Sequence, residues 1–213
     1  MTIKTYWLKY KDLILISVLI IFHTVGVFGI KSDSRDYFLG LSFMNLMLSF
    51  IVLLIAREKH HLKFYLALFS VFSIGIFVEW IGIHTGYLFG NYAYGANLGV
   101  KLDGVPLIIG VNWAVLTICS CRLAVVVVKE NLFLKSLVSA GLMTALDFLI
   151  EPVAIVSDYW TWSGDIPAYN YLCWFIISFV IHIAWFKLKL TEKNKVPLAL
   201  YSILVIFFVV LNS

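Results

Sequence analysis

An all-α membrane bundle of about seven transmembrane helices is the fold this sequence predicts, and three observations carry that expectation. Of its 213 residues, 62% are hydrophobic and only 13% are charged. With a mean hydropathy of +0.97, most of the chain has lipid as its solvent. The apolar residues gather into seven runs, each near the roughly 20 residues that a spanning helix needs. The basic residues sort by loop in the alternating way that a polytopic chain requires. Residues 1–213 then read as a single integral membrane domain.

The first run covers about residues 12 to 30. It follows a lysine-bearing start, but it is long and has no small-residue cleavage site after it, so it reads as a retained span and not a signal peptide. The second covers about 37 to 56, and the third, about 63 to 83, carries Glu79 near its end. Asn91, Asn97 and Gly104 with Pro106 signal turns leading into the fourth, about 106 to 127, which Asn112 and Trp113 open. The fifth, about 132 to 156, holds Asp147, Glu151 and Pro152. The sixth and seventh cover about 169 to 187 and 196 to 212.

Seven spans put the termini on opposite sides, and lysine and arginine divide accordingly. Lys4, Lys9, Lys11, Arg57, Lys59, Lys63, Arg122, Lys129, Lys135, Lys187, Lys189, Lys193 and Lys195 fall on one side, against Lys31, Arg35 and Lys101 on the other. The positive-inside rule makes the first side cytoplasmic, with the N-terminus in and the C-terminus out. The net charge of +4 is thereby a topology signal of a multi-pass protein of the plasma membrane, and no nucleic-acid partner is needed to explain it.

In this topology Glu79, Asp147 and Glu151 lie at a similar depth, in the outer halves of two spans that both run outward. An ionised acid at bilayer depth costs roughly 2.5 to 3.5 kcal/mol on insertion scales, so such residues face a protein interior and work there. Asp147 and Glu151, at i and i+4, share a helix face. In a dry pocket, repulsion and desolvation let one of them keep a proton at neutral pH. Pro152 frees the carbonyl near residue 148 and kinks the helix beside them.

The two longest loops, 84–105 and 157–168, cap the same end and are aromatic: Tyr87, Phe89, Tyr92 and Tyr94 in one, Tyr159, Trp160 and Trp162 in the other. Rings at that height make an ordinary interfacial belt, just as lone polar residues such as Asn112 make ordinary helix glue. The sharper expectation is a cavity near the outer leaflet, walled by rings and floored by acids. Gly82, Gly86 and Gly90, four residues apart, suit a close helix contact or a turn-rich loop, and the favoured reading ends the helix before Gly90.

Several chemistries fit poorly. Membrane di-iron sites need clustered histidines or Glu-x-x-His pairs, whereas His23, His60, His61, His84 and His182 are scattered, so no metal is expected. Cys119, Cys121 and Cys173 lie inside spans without a Cys-x-x-Cys spacing. The last span has no lysine for a retinal Schiff base. Phosphate loop, nucleophile elbow and dinucleotide fingerprint are all missing, and no cofactor is expected. Acid chemistry on a greasy substrate remains.

The segments E-W-I-G-I-H-T-G-Y-L-F-G-N-Y-A-Y, L-G-V-K-L-D-G-V-P-L-I-I-G-V-N-W, A-L-D-F-L-I-E-P-V-A, W-T-W and I-P-A-Y-N-Y-L-C-W together resemble the carotenoid biosynthesis membrane protein family. Its characterised members are carotenoid hydratases of the bisanhydrobacterioruberin hydratase and gamma-carotene hydratase type. The resemblance covers about residues 75 to 185, and five ordered blocks are specific where no single one is. Its pattern matches Glu79, Gly82, Gly86, Gly90, Tyr92, Gly104, Pro106, Trp113, Asp147, Pro152, Trp160, Trp162, Pro167, Asn170 and Trp174. The family often has Asp where this chain has Glu151 and glycine where it has Ile166, and the link from Trp162 to Pro167 is short. These departures leave the reaction class in place and the substrate's end group open.

What the resemblance implies is a cofactor-independent hydratase that adds water to the terminal double bond of an acyclic carotenoid. Hydration of such an alkene requires a carboxylic acid to protonate the less substituted carbon, rings to stabilise the tertiary cation, and a carboxylate to position water. Asp147 is the expected acid, with Glu151 or Glu79 orienting water. Tyr92, Trp113, Trp160, Trp162 and Trp174 are expected to line the site, with Tyr87 and Asn112 beside them and Asn170 holding the water. The partners implied are a lipid-soluble carotenoid, the bilayer and other carotenoid-pathway enzymes. A carotene cyclase shares the protonation step and differs in what captures the cation. A proton-coupled transporter predicts related halves or paired broken helices, and the sequence has no internal repeat. A pigment-binding protein without catalysis retains carotenoid and makes no new product.

Overall fold

The computed structural model describes residues 3–213; the side chains of residues 3–6 and 8, Lys4 among them, lie outside the description, as do Met1 and Thr2. Helices make up 73% of the chain. In order they are α1 (Ile3–Ile30), α2 (Arg35–Gly40), α3 (Ser42–Ala56) and α4 (Leu62–Thr85), then α5 (Leu107–Val127), α6 (Leu132–Val156), α7 (Ala168–Lys187) and α8 (Val196–Leu211). Short strands β1 (Tyr92–Tyr94), β2 (Lys101–Leu102) and β3 (Val105–Pro106) lie between α4 and α5, and β4 (Trp160–Trp162) between α6 and α7.

Each expected apolar run contains a helix, and among the described residues five helices, α1, α4, α5, α6 and α7, are long and apolar enough to cross a membrane. The other two runs are shorter. α8 has 16 residues, and the second run divides at Leu41 into α2 and the 15-residue α3. Leu41 keeps helical angles, φ −87° and ψ −2°, but its N–H bonds back three residues to Phe38 O. The preceding Gly40 lowers the cost of this irregularity, because glycine favours a continuous helix least after proline.

α5 is the hub. In its apolar window 72% of residues are buried, against 22% to 39% for the other four long helices. It packs on α3, α4, α6 and α8, while α6 and α7 share the most extensive helix–helix contact. Loops gather at two ends. At one, Arg57 and Asn194 bridge the α3–α4 and α7–α8 loops; at the other, Asn97 reaches Ser157 O and Tyr169 reaches Gly86 O. Lys11 bonds Ala56 O at the first end and Asn212 bonds Leu149 O at the second, so the chain starts and finishes at opposite ends.

Candidate active site

Glu79 and the pair Asp147 and Glu151 come from α4 and α6, and all three carboxyls line one cavity at the second end. Each is only 3% exposed. The cavity has a volume of about 30 Å³, room for about two water molecules.

Its roof is built by alternation. β1 and β4 pair antiparallel with Tyr92 opposite Trp162 and Tyr94 opposite Trp160. Successive side chains point to opposite faces of a strand, so Y-A-Y and W-T-W send four rings down while Ala93 and Thr161 stay exposed. Cross-strand ring centroids are 5.0 Å apart for Tyr92 and Trp162, and 6.0 Å for Tyr94 and Trp160.

The roof also bonds the acids. Tyr92 and Tyr94 hydroxyls donate to Glu79 Oε2 at 2.5 and 2.8 Å, and Trp113 Nε1 donates to Oε1 at 3.2 Å. Trp160 and Trp162 Nε1 both donate to Glu151 Oε2, at 2.9 and 3.0 Å. Burial first, and then the neighbouring Glu79 carboxylate, hold the Tyr92 and Tyr94 phenols well above the usual tyrosine range, so both remain donors. Asp147 differs: its Oδ2 is buried with no hydrogen-bond partner. Asn170 Nδ2 is likewise unpartnered, and Asn170, Asn112 and Trp174 line the same cavity.

Two residues expected to line the site do not, and each has a physical reason. Tyr87 is 85% exposed, because Gly86 ends α4 in the left-handed conformation at φ 67° and turns the loop outward. Phe89 takes the inward place, 1% exposed and at φ 71°, a conformation costly for a bulky residue and held by its burial. Trp113 is fully buried behind the wall, stacked on Trp174 with centroids 4.2 Å apart. A Cβ on Gly75 would lie 2.7 Å from Trp113 Cγ, so glycine is what lets the indole reach Glu79.

Phe89 and Tyr94, named from sequence only among the capping rings, also line the cavity, as do Ile109 and Ile150, which the sequence did not mark. The period-two spacing of Tyr92 with Tyr94 was the available signal for Tyr94. Among the described residues no three His, Cys, Asp or Glu side chains group as a metal-ligand set; the acids share a cavity without converging on a point. Chemically, the arrangement offers one carboxyl free of donors, two carboxyls held by donors, amide groups able to hold water, and aromatic faces around them.

No curated protein and no solved structure matches the chain. The carotenoid biosynthesis protein family matches residues 38–213, from the second helix to the end of the last, and the chain belongs to that family.

Proposed function

We propose that this protein is a carotenoid hydratase of the plasma membrane, adding water to the terminal double bond of an acyclic carotenoid end group without a cofactor. In this reading all seven apolar runs span, the N-terminus is cytoplasmic, and the acid cavity opens near the outer face. One observation carries the chemistry: of three acids on one cavity, Glu79 and Glu151 each accept side-chain donors, while Asp147 accepts none and has a buried oxygen, Oδ2, left unpartnered. Hydrogen-bond donors favour an ionised acceptor, which suits Glu79 and Glu151 to hold charge and Asp147 to carry a proton.

The step balances as follows. Asp147 gives its proton to the less substituted alkene carbon; the π bond breaks, a C–H bond forms, and a tertiary cation remains. Faces of Tyr92, Trp160, Trp162 and Trp174 stabilise the cation, an attraction worth about 2 kcal/mol or more when desolvated. Water, held by Asn170 or Asn112, forms the C–O bond, and Glu151 accepts the proton it loses. That proton returns to Asp147 within the shared cavity, so alkene and water become a tertiary alcohol with nothing else consumed. An isoprenoid tip needs more room than the present cavity, so its arrival displaces part of the ring wall. A polyene dissolves in the bilayer, which makes sideways access from lipid the natural route.

Expression in a lycopene-accumulating host tests the reading: the pigment gains the mass of one water. Asp147→Asn abolishes product while membrane insertion is unchanged. An isomer of unchanged mass identifies a cyclase, and activity retained by Asp147→Asn removes that residue from the acid role.

A further inference from the structure

At the end of the bundle opposite the acids, a second cavity of about 20 Å³ lies between the ends of α3 and α5 and the loop joining α7 to α8. The geometry points to a binding site for a phosphate-type oxyanion, carried by a phospholipid headgroup or free in solution.

Charge is the first argument. Arg57, Arg122 and Glu192 line the cavity, two cations against one anion. Glu192 is committed: its oxygens accept the backbone N–H groups of Glu58 and Lys59 at 2.9 Å each, and Arg57 Nη2 lies 3.4 Å away. Arg57 is committed as well. Its Nε and Nη1 donate to Lys59 O and Leu190 O at 2.8 and 3.0 Å, and its guanidinium lies 3.6 Å over the Phe64 ring. Arg122 keeps its charge unbalanced. Nε donates to Asn194 O at 2.8 Å, but no carboxylate among the described residues lies in ion-pair range. Among the described residues the donors on Nη1 and Nη2 have no acceptor.

A second, independent observation comes from Trp185, which is 2% exposed and lines the same cavity. Its Nε1–H has no hydrogen-bond partner, and neither does the buried hydroxyl of Thr191, which lines the same cavity. Buried N–H groups without an acceptor are costly and therefore uncommon. Edge-on contact with Phe64, centroids 5.8 Å apart, fixes the indole where it is.

An oxyanion supplies acceptors to the indole, the hydroxyl and the Arg122 fork together, and it neutralises the surplus charge. Water supplies acceptors only. Guanidinium forks match phosphate oxygens in geometry, and such charge-assisted bonds are roughly twice as strong as neutral ones. The cavity admits one or two oxygen-sized groups, so phosphate oxygens enter and the rest of the ligand stays at the bundle surface. Lys187, Lys189, Lys193 and Lys195 around the same loop raise the local anion concentration. None of this depends on the hydratase reading.

The test uses purified full-length protein in neutral detergent at fixed ionic strength, with thermal unfolding as the readout. Inorganic phosphate and micelles carrying phosphatidylglycerol are titrated separately. Stabilisation by phosphate supports a free oxyanion, and stabilisation by phosphatidylglycerol alone supports the lipid source. In either case Arg122→Gln and Trp185→Phe weaken the apparent affinity about tenfold or more, while Lys31→Gln, exposed and at the opposite end of the bundle, stays within about twofold. Should Arg122→Gln fail to fold, Trp185→Phe decides, because it keeps a ring against Phe64 and removes only the N–H donor. No response to either probe, or an equal loss in all three variants, overturns the site.

Discussion

Glu79 gives a quantitative test of how the buried acids are held. Oε2 takes two hydroxyls, from Tyr92 and Tyr94, while Oε1 takes the Trp113 indole. A hydrogen bond to a charged group contributes about 1.5 to 3 kcal/mol, so Tyr92→Phe and Tyr94→Phe, which keep the rings, each destabilise by about that amount. In each single variant the other hydroxyl still serves Oε2. The double variant leaves that oxygen with no donor in a site that is 3% exposed. Its cost therefore exceeds the sum of the singles, by about 0.5 kcal/mol or more, the lower range of coupling seen within one network. Repeating the cycle in Glu79→Gln reduces each penalty to the neutral hydrogen-bond range of about 0.5 to 1.5 kcal/mol. Unfolding in detergent micelles, followed by tryptophan fluorescence, gives all the free energies. Strict additivity, or penalties unchanged by Glu79→Gln, would refute the claim that the hydroxyls act on a charged Oε2.

Four further outcomes follow from the same geometry. Gly75→Ala, whose Cβ would meet Trp113 at 2.7 Å, destabilises by about 1 to 3 kcal/mol, whereas Gly141→Ala, with open space around it, is neutral or stabilising by up to about 1 kcal/mol; parallel thermal melts compare them. Replacing Trp160 and Trp162 together by Phe strips Glu151 Oε2 of both donors and, on the proposed hydratase reading, lowers product yield far more than either single change, measured by pigment extraction. Gly82→Ala, with a Cβ 2.8 Å from the Tyr92 hydroxyl, displaces that donor and reproduces the Tyr92→Phe loss. Alkaline stability should be flat up to about pH 10 and fall above it: the raised phenols of Tyr92 and Tyr94 stay protonated in the folded state while unfolded tyrosines ionise near pH 10, so stability is lost as pH rises. Tyr94→Phe makes that decline shallower.

The helices and the acids were legible in the sequence because both depend on local spacing. Apolar runs of spanning length mark the helices, and the i, i+4 spacing of Asp147 and Glu151 puts both on one face. The roof was not legible, since its register joins Tyr92–Tyr94 to Trp160–Trp162 across more than sixty residues and each strand is too short to announce itself. Trp113 and Tyr87 show a related limit. Their depth along the bundle was readable, but whether a ring faces the cavity depends on the room left by Gly75 and the backbone turn at Gly86. Asn170 and Trp174 are spaced like any polar and aromatic pair on a helix and were marked only by the family resemblance. The break at Leu41 arises from one irregular hydrogen bond, which hydropathy does not register.

One ribbon carries the partners of two different acids, and its two edges are sewn from separate connections in the chain. Lifting it cannot disturb Glu79 alone: the same motion withdraws phenols from one carboxyl and indoles from the other. A guest that wedges the ribbon upward thus alters the surroundings of both carboxyls in a single stroke.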